Sequence, residues 1–217
     1  MPPTVRSKSV SAPAPGVFRV AHGTDPFTLW PPRSTTDLGK PLLDGNRWDD
    51  PAGRYATMYC ATNAQGAFGE TIARYRECEG LLARIAEFLS EDPDTEHDPE
   101  LQPGKVPDDY FADRYLGHGL VLPSAEFVDV EHPDTHAACA HALLRTLIEF
   151  APLETIDRGT MHSPDRRVTQ TISTHFHALA QTPDHTNLRG IRYESRIHAE
   201  WECWVMWEPS PVQPDPT

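Results

Sequence analysis

A short segment near residue 47 carries a permanently charged side chain in a position where it could meet a ligand. Arg47 and Trp48 lie between two groups of turn-forming residues, 44–46 and 49–53, so a short ordered arm is predicted to hold the arginine. A guanidinium is planar and can donate two parallel hydrogen bonds, which suits phosphate oxygens. Arg47 is therefore a candidate anion ligand.

Glu70 is a candidate acidic group on a helix predicted over about residues 63–76. The apolar stripe of this helix comprises Ala64, Phe68, Ile72 and Tyr75. At about 100° per residue, Glu70 lies roughly 200° round from Phe68 and faces away from that stripe. Two interpretations follow: the carboxylate is exposed and pairs with Arg74 one turn on, or it is presented into a cleft.

Three other polar side chains lie on predicted strands. Arg19 is flanked by apolar residues, Tyr59 alternates with small or apolar ones, and Ser195 lies near the end of its strand. Each has a plain structural alternative. Arg19 could be an edge-strand arginine that reaches solvent, Tyr59 a half-buried aromatic residue, and Ser195 an ordinary strand hydroxyl.

Convergence of these five residues would assemble a specific chemistry. Arg19 and Arg47 would suit a pyrophosphate. Tyr59 offers a flat face to a ring, and the hydroxyl of Ser195 can fix an orientation. Glu70 beside a ribose could stabilise positive charge as a glycosidic bond breaks, or orient the ribose hydroxyls.

The elements that must position these residues are short strands interspersed with helices. Strands are predicted over residues 17–21, 55–60, 119–122, 127–130, 190–196 and 201–207, and helices over 63–76, 79–90, 134–150 and from about 163 onward. Because they do not alternate regularly, an α+β fold is expected. We expect one domain over residues 16–208, interrupted by an acidic, proline-rich insertion at 91–109 and flanked by disordered tails, 1–15 and 209–217.

Composition limits the classes of partner. The net charge is −13, from 32 acidic and 19 basic residues, so the chain offers little surface to a phosphate backbone and nucleic-acid binding is not expected. A local basic pocket could still bind a small anion. No apolar run approaches the ~20 residues of a membrane span, and the N-terminus lacks the apolar core of a signal peptide. A cytoplasmic protein is expected.

Cysteine and histidine spacing gives no sign of a metal site. The four cysteines show no Cys-x-x-Cys spacing and are expected to be buried free thiols. His175 and His177, two residues apart on a predicted helix, point to opposite sides and cannot chelate one ion together.

The order of these motifs resembles the RES-domain family. The matching segments are Val-Phe-Arg-Val at 17–20, Gly-x-Arg-Trp at 45–48, a tyrosine-bearing strand, Phe-Gly-Glu at 68–70 and Gly-Ile-Arg-Tyr-Glu-Ser-Arg at 190–196. Each motif is short, but their order and spacing together cover roughly residues 16–208. The resemblance implies an ADP-ribosyltransferase-like core of short, mostly antiparallel strands with about four helices.

The resemblance also implies an activity and roles. Characterised members of the family consume NAD as toxins that a helix-turn-helix antitoxin neutralises. Carried onto this sequence, Arg19 and Arg47 would bind phosphate or ribose, Tyr59 would lie near the nicotinamide, and Ser195 would position NAD. Glu70 would carry the catalysis, with Arg47 and Tyr59 beside it and no metal.

Two residues depart from the family pattern. Asp49 stands where relatives often have asparagine, which adds negative charge beside the proposed anion ligand Arg47. Ser124, in Leu-Pro-Ser-Ala, resembles a Pro-Ser motif of some shorter members and is a second candidate for the family serine. We prefer Ser195, because the whole segment around it matches.

Several functional alternatives stay open at the level of sequence. The nicotinamide–ribose bond could be cleaved by water or by phosphate, or ADP-ribose could be transferred to a macromolecule. The chain could also be a catalytically silent module that binds a partner through its tryptophan-rich final strand. A homodimer is possible.

Overall fold

The computed structural model describes residues 6–32, 45–76 and 104–215. These form an α+β domain, as expected, built on one eight-stranded sheet with the order β1-β5-β6-β7-β3-β2-β4-β8. The strands are β1 Ser9–Ser11, β2 Val17–His22, β3 Thr57–Ala61, β4 Arg114–Val121, β5 Glu126–Asp129, β6 Leu188–Glu194, β7 Glu202–Trp207 and β8 Val212–Pro214. The pairing is antiparallel except between β5 and β6, which run parallel.

Four α-helices lie within the described residues: α1 Ala64–Ile72, α2 Pro133–Leu147, α3 Arg158–Met161 and α4 Arg166–Ala180. The short α3 was not predicted. The helix predicted over residues 79–90 lies outside the described residues, as does most of the acidic insertion, 91–103. None of the described helices is long and apolar enough to cross a membrane.

The sheet has two differently covered faces. On the helix-covered face, strand residues such as Tyr193, Val205 and Trp207 pack against the apolar sides of α2 and α4. On the loop-covered face, Met58 and Trp204 pack with Phe27 from the segment after β2. The strand predicted over residues 201–207 is confirmed as β7, in which residues 203, 205 and 207 face the helices and residues 204 and 206 the other side.

The predicted disordered tails both contain a strand. Val10 of β1 lies opposite Phe127 of β5, and Val212 of β8 lies opposite Val121 of β4. The prediction of disorder is therefore wrong for residues 9–11 and 212–214. Each strand has only three residues, so its composition gives little signal, while its backbone groups pair with the otherwise open edge of the sheet.

The packing face of α1 differs from the predicted apolar stripe. The buried residues of the helix are Gly66 and Ala67, whereas Phe68 is half-buried and meets the ring of Phe111, with centroids 6.5 Å apart. Glu70 lies one turn after Gly66 and Ala67, on the side that faces the sheet. The expected helix start is confirmed, since the Asn63 side chain accepts a hydrogen bond from the Gly66 amide at 2.7 Å.

The three described cysteines, Cys60, Cys139 and Cys203, are buried free thiols, as expected. Cys78 lies outside the described residues.

Candidate active site

The arm that carries Arg47 is fixed by hydrogen bonds to its backbone on both sides of the arginine. Gln170 of α4 donates from Nε2 to the Asn46 carbonyl at 3.1 Å, and Ser173 donates from Oγ to the Trp48 carbonyl at 2.7 Å. The Trp48 amide donates to the Tyr59 hydroxyl at 3.0 Å. Three bonds from two elements therefore set the position of Arg47.

The Arg47 side chain is buried but not satisfied. The residue is 8% exposed, and its Nη1 has no hydrogen-bond partner among the described residues. Its guanidinium carbon lies 5.2 Å from the centre of the Tyr193 ring and 5.8 Å from that of Trp48. Since buried polar groups are normally hydrogen-bonded, the free nitrogen is a ready donor to a ligand.

Charges around Arg47 identify its neighbours. Burial lowers the pKa of the Arg47 guanidinium, Tyr193 and Glu70 act to raise it, and the positive charges of Arg196 and Arg166 lower it further. Glu70 is thus near enough for its charge to act on Arg47, and Ala67 places its helix on the helix-covered face. The two additional arginines were not predicted as site residues, although Arg196 ends one of the recognised motifs.

Glu70 is half-buried and forms no ion pair or hydrogen bond with the described residues. Its charge also acts on Tyr193 and Cys203: burial is the main cause that raises the pKa of each, and Glu70 adds to it. The alternative pairing with Arg74 cannot be followed, because the Arg74 side chain lies outside the described residues.

Position 69, next to Glu70, requires glycine because the ring of Trp201 packs against it. A Cβ at this position would lie 2.0 Å from an atom of the Trp201 ring, so only glycine allows the indole to rest on α1. This contact brings the segment after β6 against the helix, one residue from Glu70.

Ser195 shapes that segment. Its buried Oγ accepts hydrogen bonds from the amides of Ile197 at 3.0 Å and His198 at 3.3 Å, and its own amide donates to the Trp201 carbonyl at 2.9 Å. The hydroxyl thus holds the turn that carries Arg196 and Trp201 to the site. The alternative candidate, Ser124, is exposed in the turn between β4 and β5.

Tyr59 has its hydroxyl committed to the arm. It donates to Asp49 Oδ1 at 2.7 Å and accepts from the Trp48 amide. Burial, followed by the charge of Asp49, raises the pKa of Tyr59 well above its ordinary value. The phenol therefore stays protonated, and what it can offer a ligand is its ring.

Asp49 is likewise used within the arm. Its carboxylate accepts hydrogen bonds from the Asn46 amide at 2.7 Å, the Thr57 hydroxyl at 2.6 Å and the Tyr59 hydroxyl. The negative charge that Asp49 adds beside Arg47 is therefore engaged by donors within the arm and on β3.

Arg19 does not join the other candidates. Phe18 and Val20 of β2 pack on the helix-covered face, so Arg19 points to the loop-covered face, where its Nη1 donates to the carbonyls of Pro26 at 2.7 Å and Thr28 at 3.1 Å. The expectation that all five residues line one cleft is wrong for Arg19. The strand phase was predicted correctly, but phase alone does not tell which face the helices cover.

A cavity on the loop-covered side does not contain the candidate site. Its lining includes Asp25, Phe27, Tyr115 and His118, and none of the five predicted residues. Within the described residues there is also no cluster of three histidine, cysteine or acidic side chains that could hold a metal ion.

Comparison with known proteins agrees with the motif order. The RES domain matches residues 17–216, so the chain belongs to the RES-domain family. A chain from the crystal structure of the M. tuberculosis MbcT–MbcA toxin–antitoxin complex shares the fold, with a TM-score of 0.52 at 13% identity over 96% of this chain and 84% of that chain. Comparison with curated proteins gives no significant match.

Proposed function

We propose that this protein cleaves the nicotinamide–ribose bond of NAD, with Glu70 as the catalytic carboxylate. The observation that carries the proposal is the unsatisfied pair on the helix-covered face: a buried Arg47 with a free nitrogen, and a half-buried Glu70 without a described partner. Unpaired buried charges are costly. A ligand that offers an anionic and a cationic group would satisfy both.

Local charge favours an anionic portion of the ligand. The charges of Arg166 and Arg196 act on Arg47, and none of the three side chains forms an ion pair among the described residues. By contrast, five other arginines of the described chain are engaged by carboxylates: Arg54, Arg114, Arg158, Arg167 and Arg192. Three free guanidiniums in a chain of net charge −13 suit a pyrophosphate.

The proposed chemistry needs little more than a positioned carboxylate. As the bond between ribose C1′ and the nicotinamide nitrogen breaks, its electron pair neutralises the pyridinium, so nicotinamide leaves without a general acid. The ribose becomes oxocarbenium-like, and the negative charge of Glu70 stabilises it. Oxygen of water or of phosphate then forms the new bond to C1′ and loses a proton.

Family and fold support a biological role as a toxin. The chain belongs to the RES-domain family, and its fold is shared with a chain from a toxin–antitoxin complex. We propose that it too is neutralised by an antitoxin, of the helix-turn-helix class that the family resemblance implies. A homodimer and a cytoplasmic location stay predictions.

The test is nicotinamide release by purified protein, with and without phosphate. Wild type should release it, and Glu70→Gln should lose about 10²- to 10³-fold in kcat, the cost of removing one preorganised electrostatic group. Glu149→Gln, at an exposed site just after α2, is the matched control and should behave as wild type.

The products decide between the open alternatives. ADP-ribose indicates hydrolysis, and its phosphorylated form, made only when phosphate is present, indicates phosphorolysis. Incorporation of label from NAD into protein would favour transfer to a macromolecule. Equal, slow release by wild type and Glu70→Gln would rule out the catalytic role of Glu70 and favour the silent module.

A further inference from the structure

Helix α4 presents two stripes to the rest of the protein. The apolar one packs into the core through Val168, Ile172 and Phe176. The other consists of Arg166, Gln170, Ser173 and His177, spaced by four, three and four residues, so these side chains lie along one side of the helix. We call this second stripe the polar seam. A polar stripe on an amphipathic helix usually faces solvent, but this one is covered.

The polar seam is covered by the arm that carries Arg47. Gln170 and Ser173 bond the carbonyls of Asn46 and Trp48, the residues on either side of the arginine. Gln170 is 1% exposed and Ser173 is fully buried. Burying polar groups costs free energy unless each finds a partner. The two arm carbonyls are the partners of Gln170 Nε2 and Ser173 Oγ, whereas Gln170 Oε1 has no hydrogen-bond partner among the described residues.

The ends of the polar seam act on the same segment. The His177 ring stacks on Tyr55 with centroids 3.6 Å apart and planes 13° apart, which secures the far end of the arm. At the near end, the charge of Arg166 acts on Arg47. Three seam residues, Gln170, Ser173 and His177, therefore contact the chain between residues 46 and 55, and the fourth, Arg166, acts on it through its charge.

We infer that Gln170 and Ser173 are positioning residues that set the orientation of Arg47 and hence the affinity for the phosphate groups of the ligand. They touch the backbone of the arm and not the guanidinium. Their hydrogen bonds hold the arm in place, and the position of the arm sets the direction in which the free nitrogen of Arg47 points. The ligand named here rests on the proposed function, whereas the placement of the arm does not.

The first measurement uses protein without ligand. Amide hydrogen exchange over residues 46–49 should be faster in Gln170→Met and Ser173→Ala than in wild type, with the strands of the sheet unchanged. Thr169→Val is the matched control, because Thr169 is equally buried on α4 but its hydroxyl bonds only the Arg166 carbonyl of its own helix. Unchanged exchange in the arm of both seam variants would overturn the inference.

The second measurement is affinity. Each seam variant should raise KM for NAD by about three- to tenfold and weaken inhibition by inorganic pyrophosphate by the same factor, the range for losing one buried hydrogen bond. The value of kcat should stay within about twofold, since a uniform loss of binding leaves the chemical step unchanged. Control Thr169→Val should keep both constants.

The outcomes separate this inference from the proposed function. Seam variants that lower thermal stability while leaving pyrophosphate affinity unchanged would make Gln170 and Ser173 structural residues only. If wild type binds pyrophosphate but releases no nicotinamide, the proposed activity fails. The inference would then be judged on pyrophosphate binding and on hydrogen exchange.

Discussion

Two arginines on opposite faces of one sheet, the half-buried Arg19 and the buried Arg47, show how similar residues come to have different uses. Arg19 on the loop-covered face gives its Nη1 to two carbonyls, those of Pro26 and Thr28. Arg47 on the helix-covered face is buried with a free Nη1, and its neighbours include a glutamate and two more arginines. A guanidinium saturated by carbonyls joins segments of the chain, whereas an unsaturated one can serve a ligand.

The charged groups that surround the two arginines also differ. Burial lowers the pKa of both side chains. Around Arg19 the further influences, from Cys60 and Asp25, act only to raise the pKa. Around Arg47 the influences have both signs: Tyr193 and Glu70 act to raise the pKa, and the positive charges of Arg196 and Arg166 act to lower it.

The strongest test of this comparison replaces each arginine by lysine in a separate variant. Lysine keeps the charge but loses the planar fork, so Arg47→Lys should raise KM for NAD by about 10- to 100-fold, the cost of one to two charge-assisted hydrogen bonds. Arg19→Lys should leave KM near the wild-type value and lower the thermal midpoint instead, because its carbonyl bonds join β2 to the following segment. Steady-state kinetics and thermal unfolding of both variants provide the measurements.

A reversed result would contradict the assignment. If Arg19→Lys raises KM as strongly as Arg47→Lys, the two faces serve one site, and the original expectation of a common cleft would be restored. Stability measured alongside KM separates loss of binding from loss of folded protein.

Two carboxylates, Glu131 and Asp113, show a similar contrast between a buried and an exposed position. The Glu131 side chain, 8% exposed, accepts from His162 and Arg158 and from the Glu194 amide. Burial alone would raise the pKa of Glu131, but these donors lower it from its usual 4.5 to about 2. Asp113, whose side chain is 63% exposed, pairs with His22, and that hydrogen bond is the main cause that lowers its pKa.

Acid unfolding should distinguish these two carboxylates. Because the pKa of Glu131 is lower in the folded state, its ionised form contributes stability above about pH 4.5, which is lost as the pH falls towards 2. Glu131→Gln should therefore cost roughly 2–3 kcal/mol near pH 6, and the difference from wild type should shrink towards pH 2. Denaturant titrations across this pH range measure it.

Asp113→Asn is the control for that titration and should change stability little at any pH, as expected for an exposed ion pair. An equal effect of both variants would mean that enclosure of Glu131 adds nothing.

Local features of the site were predictable from sequence, and features set by packing partners were not. The start of α1 near residue 63 and the strand β7 depend on neighbouring residues and were predicted. The face to which Arg19 points depends on where the helices pack, which strand phase does not reveal. Likewise α1 packs through Gly66 and Ala67, whose small side chains give a weaker hydrophobic signal than Phe68.

The polar residues that position or surround Arg47 were not predicted, for a related reason. Gln170 and Ser173 occur on the polar side of an amphipathic helix, where the simplest expectation is solvent. Their partners are backbone carbonyls more than a hundred residues away in sequence, and such carbonyls have no sequence signature. Arg166 gave no motif signal, while Arg196 could have been found by considering the recognised segment 190–196 residue by residue.

The smallest expected effect concerns β1, one of the two terminal strands that complete the edges of the sheet. A truncation through residue 12 removes β1 and its pairing with β5, including Val10 in the core of the loop-covered face. It should lower the thermal midpoint by roughly 2–4 °C, about 1 kcal/mol for a chain of this size. A truncation ending at residue 5 removes none of the described contacts and is the matched control. Equal midpoints for the two truncations would mean that β1 adds nothing to stability. If KM for NAD stayed the same in both truncations, the site on the helix-covered face would be independent of this edge of the sheet.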